Sequence, residues 1–334
     1  MAALSRLVRG GVLALAGLAY SRAILDRNRA LRPTPVRDIR GRRLPESIMT
    51  YSDGARVTVI DAGEGVPMLW IPGADGNKET FEKQLPYFAE RSRVVCADLR
   101  SEFSPDDDFD CFARDVLELI DTYDTGPVVL VGQSLGTAIA MRFAYQFPQL
   151  VRGIVLANPL ARVSIAHVGL NRTALIPVAQ FTTRYLPTTA SWIAAQLWSR
   201  GSVWIYDNSP GRDDLVIHAL WSGPRTVRAS LSSQRVSLLR GNDLRPSLPA
   251  IEAPALVVKG TDDTYTPPEW ALEIASLLPN ASYAPIPDSG HCCHISMPGS
   301  FNRVVSDWLV ESVPGAAEEL RHELGEPVES EETA

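Results

Sequence analysis

Val128-Val129-Leu130-Val131-Gly132-Gln133-Ser134-Leu135-Gly136 decides how the rest of the chain is read. Four aliphatic residues, three of them β-branched, run into a glycine, the pattern of a strand buried on both faces of a parallel sheet. Thr137 to Tyr145 follows with a helical pattern, so Ser134 falls on a strand-to-helix turn. So sharp a turn brings its backbone against the neighbouring elements, and small residues two before and two after the serine answer that need. A serine hydroxyl is a weak nucleophile until a base takes its proton, so raising it on such a turn has a chemical use. The five-residue pattern alone is a weak signal, open to the reading of a tight turn with an incidental serine; the strand before it and the helix after it give it weight.

The same grammar continues in both directions. Upstream, Ser47–Asp61 reads as two strands about the turn Asp53-Gly54, followed by strands at Val66–Ile71 and Arg93–Asp98 with a helix over Thr80–Phe88 between them. Ser101–Asp110 reads as a solvated acidic loop leading into a helix over Phe112–Tyr123, whose N-terminus favours negative charge. Asp106-Asp107-Asp108 lacks the ligand spacing and the glycine of a calcium loop, so no metal is expected there. Downstream come strands at Val151–Leu156, Ala255–Lys259 and Tyr283–Ile286, with helices over Pro268–Leu278 and Phe301–Val310. Strands alternating with helices imply an α/β fold, a doubly wound and mostly parallel sheet with right-handed crossovers. Residues 160–250 hold no strand of comparable strength, only helical patterns rich in Ala, Leu and Trp, and read as an insertion. The expected organisation is an extension and linker at 1–46, one core built from 47–159 and 251–312, the insertion at 160–250, and an acidic tail at 313–334.

Charge is distributed unevenly. Residues 1–50 hold ten arginines and three acids, whereas the whole chain of 334 residues carries −7. The body is therefore strongly acidic, which argues against a nucleic-acid partner. Gly10–Ser21 is uncharged behind Arg6 and Arg9, but shorter than the ~20 residues that a membrane span needs. Two readings of residues 1–25 stay open, a targeting or membrane-anchoring segment and a plain N-terminal helix. With them stay two compartments, the cytoplasm or an exported or membrane-tethered state. Cys96, Cys111, Cys292 and Cys293 have the spacing of neither a disulfide framework nor a metal site, and read as free thiols.

A nucleophilic serine needs a base. Of five histidines, His167 and His218 lie in the insertion and His322 in the tail, which leaves His291 and His294 in the loop after the last strand. Loops at the carboxyl ends of parallel strands share one edge of the sheet, the edge of Ser134, and His291 directly after Gly290 is the better placed. An acid to orient the imidazole is available in Gly260-Thr261-Asp262-Asp263, as Asp262 or Asp263; the other position on that edge holds Asn158, which carries no charge. Donors for an oxyanion are expected from the backbone amides of Leu135, beside the serine, and Ala74, in the loop Pro72-Gly73-Ala74 after an earlier strand.

With these residues in hand the chain resembles the α/β-hydrolase superfamily, and within it the esterase, lactonase and peroxidase-like branch, over about residues 48–312. The resemblance rests on Gly132-Gln133-Ser134-Leu135-Gly136, Asp98-Leu99-Arg100, Gly260 with Asp263 and Pro267, and Gly290-His291 with Pro298 and Phe301. It implies that the acid is Asp263, three after the glycine, and that residues 160–250 form a helical cap over the pocket, with Trp192, Trp198, Trp204 and Trp221 either lining it or packing the cap's own core. Pro72 stands where many relatives have histidine, and Thr137 where they have a second glycine. The implied activity is a serine hydrolase without cofactor or metal, cleaving a carboxylic ester, lactone or thioester of a small to medium, mostly apolar acyl substrate. Alternatives are peroxidase-like or carbon-carbon bond hydrolysis by the same triad, and a non-catalytic ligand-binding protein or receptor on the same fold. Dehalogenase or epoxide hydrolase chemistry would need an aspartate where Ser134 stands.

Overall fold

The computed structural model describes residues 35–162, 229–263 and 265–316, with a few more within 16–23 and 209–214, and only the backbone of 229–233. Most of residues 1–25, most of the insertion with its tryptophans and histidines, and the tail beyond Ala316 lie outside the described residues.

Eight strands form one sheet: β1 (Glu46–Thr50), β2 (Arg56–Ala62), β3 (Pro67–Ile71), β4 (Arg93–Ala97), β5 (Val128–Gln133), β6 (Val151–Ala157), β7 (Ala255–Gly260) and β8 (Ala281–Ile286). Their order is β1-β2-β4-β3-β5-β6-β7-β8, antiparallel at β1/β2 and β2/β4 and parallel elsewhere. The helices are α1 (Leu85–Ala89), α2 (Asp110–Thr122), α3 (Leu135–Gln146), α4 (Ala229–Leu238), α5 (Pro268–Leu277), α6 (Cys293–Ser296) and α7 (Pro298–Ser312). The α/β sheet is thus as the sequence pattern predicts, strand for strand.

The continuous apolar runs are explained by two cores, one on each face. Alternate residues of the central strands point opposite ways: Val128, Leu130, Ile154, Leu156 and Val257 pack with α2, α3 and α5, whereas Val129, Val131, Val155, Leu256 and Val258 pack with Phe81, Phe88, Phe301 and Trp308. Burying each such side chain contributes roughly 1.5–3 kcal/mol, so the inner strands anchor both cores.

One expected helix differs. In place of a single helix over Thr80–Phe88 there is a short 3₁₀ turn, Lys78–Phe81, and then α1. Pro86 lacks the N–H that a continuous helix would need and its ring would clash with the preceding turn, so the helix restarts with the proline in its first turn. In the acidic loop, Asp107 accepts the Ser104 amide and pairs with Arg100 and Arg114. Among the described residues no three or more acidic, histidine or cysteine side chains gather as for a metal. No helix among them is long and apolar enough to cross a membrane.

The chain order reverses at β3: β4 lies on one side of it and β5 on the other. The carboxyl ends of β3 and β5 therefore meet at the switch point where open α/β sheets bind ligands. Ser134 follows β5 at that point.

Candidate active site

Ser134 has φ 51° and ψ −115°, a left-handed conformation that a side chain rarely adopts. The turn is fixed by close packing on both sides. A Cβ on Gly132 would lie 2.4 Å from the Gly136 carbonyl oxygen, and one on Gly136 would lie 2.1 Å from that of Ile71. Thr137, at the position of the relatives' second glycine, has a use here: its hydroxyl donates to the Ser134 carbonyl at 2.6 Å and accepts the Leu160 amide at 3.2 Å. It ties the turn to the chain leaving β6.

His291 brings Nε2 to 2.9 Å from Ser134 Oγ and Nδ1 to 3.0 Å from Asp263 Oδ2. With the proton on Nδ1 donated to Asp263, Nε2 accepts from the serine hydroxyl, the arrangement in which imidazole can take the serine proton. Asp262 lies aside, its carboxylate accepting the Thr261 hydroxyl at 3.3 Å. His294 is buried between Phe81 and Phe301, with Nε2 3.2 Å from the Thr80 hydroxyl. The structure thus brings Ser134, His291 and Asp263 together and leaves Asp262 and His294 out.

Burial works against a charged Asp263, but the attraction and hydrogen bond of His291, then those of Lys259, outweigh it and hold the carboxyl well below the usual carboxylate range. Its Oδ1 accepts the amides of Tyr265 at 2.8 Å and Thr266 at 3.2 Å, and its Oδ2 the Thr266 hydroxyl at 2.6 Å. The acid is therefore ionised and fixed in orientation. Cys96 and Cys111 offer no rival nucleophile: burial pushes the Cys96 thiol far up and that of Cys111 to about 12.

The family model described as the alpha/beta hydrolase fold matches residues 66–298. The chain belongs to that family. A Mycobacterium tuberculosis protein that carries the name of a non-heme bromoperoxidase, BpoC, is 29% identical over 248 residues, covering 72% of this chain and 93% of its own. A Burkholderia cepacia protein named 2-hydroxy-6-oxo-6-phenylhexa-2,4-dienoate hydrolase is 26% identical over 269 residues, covering 76% and 91%. Among solved structures, an esterase of Thermogutta terrifontis superposes with a TM-score of 0.61 at 22% identity, over 80% of this chain and 98% of that one.

In this α/β hydrolase the loop after β3 lies directly against the serine turn, since a Cβ on Gly136 would also meet the Pro72 carbonyl oxygen at 2.7 Å. Leu135 opens α3, so its amide belongs to the first turn, whose N–H groups have no partner within the helix. Ala74 sits half-buried in the facing loop. Both expected donors thus lie on the edge that carries Ser134.

Three further residues support the site. Asn158 is fully buried, donates to the His291 carbonyl at 2.8 Å and accepts the Gly260 amide at 2.9 Å, so it clamps the histidine loop to the acid loop. Lys259, 1% exposed, donates to Asp263 Oδ2 and to the Thr266 carbonyl at 2.6 Å. Its signal was present, a lone charge ending an apolar strand four residues before the acid. Among the described residues Arg235, in α4, donates only to main-chain carbonyls, an acceptor type that leaves no mark in a sequence.

Proposed function

We propose that the chain is a serine hydrolase that cleaves a carboxylic ester, lactone or thioester of a mostly apolar acyl compound. The observation that carries this reading is the line from Ser134 Oγ to His291 Nε2, 2.9 Å, and from His291 Nδ1 to Asp263 Oδ2, 3.0 Å, at a strand-to-helix turn. His291 takes the proton of Ser134 as the oxygen attacks the substrate carbonyl, and the amides of Leu135 and Ala74 receive the oxyanion. His291 then gives the proton to the leaving oxygen or sulfur. Water, deprotonated by the same imidazole, hydrolyses the acyl-enzyme and restores Ser134. Asp263 stays ionised throughout, orienting the ring and stabilising its positive charge. Residues 160–250 act as the cap that sets acyl length, in keeping with their place between β6 and β7.

Ester hydrolysis across acyl chain lengths, with lactones and thioesters, tests the proposal against the Ser134→Ala protein. We expect turnover by the wild type and a loss of roughly 10⁵–10⁶-fold in kcat for the variant. Equal turnover by both proteins, or tight ligand binding with no turnover by either, overturns it. A second reading, hydrolysis of a carbon-carbon bond by the same triad, is favoured by the name of the Burkholderia cepacia relative, whose substrate contains no ester. Turnover of a vinylogous 1,5-diketone in preference to every ester would select it.

A further inference from the structure

The helix that closes the insertion, α4, sends one side chain under the loops of the sheet edge. Arg235 is 3% exposed, and each of its five N–H groups ends on a main-chain carbonyl. Nε reaches Arg100 at 3.1 Å, Nη1 reaches Ala74 at 3.2 Å and Asp75 at 2.7 Å, and Nη2 reaches Leu99 and Arg100, both at 2.8 Å. Among the described residues it forms no ion pair. Burial pulls its pKa down to about 10, with Asp75 and Asp98 working the other way, so it remains a cation near neutrality. A buried cation with no carboxylate among its described partners is a costly way to dock a helix, and an apolar side chain would serve packing better. What the guanidinium does that an apolar group cannot is hold four carbonyls of two loops in one planar fork.

Those carbonyls frame the peptide that matters. The Gly76 amide donates to the Gly73 carbonyl at 2.9 Å. That carbonyl and the Ala74 N–H belong to one trans peptide, so the bond turns the Ala74 N–H to the opposite side. Arg235 fixes the next two carbonyls of the same turn. Gly76 completes the fit: at φ 72° it has no Cβ, and one would lie 2.0 Å from Arg235 Nη1. Its carbonyl accepts the Leu99 amide at 2.9 Å, joining the loop after β3 to the loop after β4.

We propose that Arg235 is a positioning residue that holds the Ala74 amide in place as an oxyanion donor, making the docking of α4 a condition for an assembled oxyanion hole. The inference rests on the hydrolase reading above. Full-length wild type, Arg235→Ala and Arg235→Lys are compared on a p-nitrophenyl ester and a phenylboronic acid that forms a tetrahedral adduct with Ser134, with circular dichroism as the check of folding. We expect kcat for Arg235→Ala to fall roughly 100-fold, the scale of a misplaced oxyanion donor, with KM within about threefold. Boronic acid affinity should fall in parallel, Arg235→Lys should lie between, and added guanidinium chloride at millimolar concentration should restore part of kcat to Arg235→Ala alone. A folded Arg235→Ala with wild-type kcat, or one altered in KM only, overturns the inference. If Arg235→Ala does not fold, Arg235→Lys decides, since an ammonium has three donors in place of five and wild-type kcat there is the contrary result. A wild type that neither turns over ester nor reacts with a fluorophosphonate sinks the hydrolase reading itself, an outcome distinct from an active wild type with an indifferent Arg235.

Discussion

Lys259 and Arg235 are buried cations on the same sheet edge, at 1% and 3% exposure, and they are satisfied in opposite ways. The lysine meets the Asp263 carboxylate together with the Thr266 carbonyl and hydroxyl. Among the described residues the arginine meets carbonyls alone. The difference separates two kinds of support. At Lys259 charge is what counts, because the ammonium acts on the negative group that faces His291. At Arg235 shape is what counts, because the fork orients peptides that carry no net charge. Charge-removing changes near Lys259 should therefore alter pH dependence, whereas changes at Arg235 should lower turnover without moving the pH profile.

The largest effect that breaks the comparison is expected at Asp263, where His291 and Lys259 converge. Asp263→Asn should lower kcat about 10⁴-fold, since the ring loses the partner that fixes its tautomer. It should also cost about 3–5 kcal/mol in urea unfolding, because Lys259 is then buried without a counter-charge.

Lys259→Met comes next. Its apolar chain fills the site and leaves Asp263 its bonds to His291 and Thr266, so turnover at neutral pH should stay within about tenfold of the wild type, while stability falls by about 3 kcal/mol. The acid loss of stability should set in at higher pH, because the lysine's charge and hydrogen bond help hold the Asp263 carboxyl low. An unchanged acid transition in a folded Lys259→Met protein would remove the electrostatic half of the comparison.

Stability against pH sharpens the same contrast in the wild type. Asp263 has a folded pKa held below its unfolded value of about 3.9. Its contribution is thus present above about pH 4 and is lost as pH falls toward the folded value. Urea midpoints measured between pH 6 and 3 should show this loss, and Asp263→Asn should lack that part of it. Arg235, with its pKa at about 10, stays charged through this window and adds nothing to it.

Thr137→Ala should have the smallest effect. It removes the hydroxyl that joins the Ser134 carbonyl to the Leu160 amide, at a cost of about 1 kcal/mol of stability and a few-fold in kcat.

What was legible in the sequence follows from how each feature is encoded. The strands declare themselves because both faces of the sheet are covered, so that Val128–Val131 and Ile154–Leu156 are apolar at every position. Ser134 shows through the glycines its turn requires, and His291 through its place in the loop after β8. Asp262 and Asp263 look alike in the sequence; what separates them is the local fold of the loop, where the amides of Tyr265 and Thr266 cradle one carboxylate. The break before α1 is encoded in Pro86, which sits in the first turn of that helix. The clamp made by Asn158 leaves no pattern in the sequence, because its partners, the His291 carbonyl and the Gly260 amide, are main-chain groups that lie far along the chain. Arg235 is hidden for the same reason.

The most direct test of the central claim is intact-protein mass spectrometry, with peptide mapping, after reaction with a fluorophosphonate. A single phosphonyl adduct on Ser134 in the wild type, absent in Ser134→Ala and slowed at least a thousandfold in a folded His291→Ala protein, is the predicted result, on the scale of losing the general base. A wild-type protein that stays unmodified, or one modified at a residue other than Ser134, would contradict it.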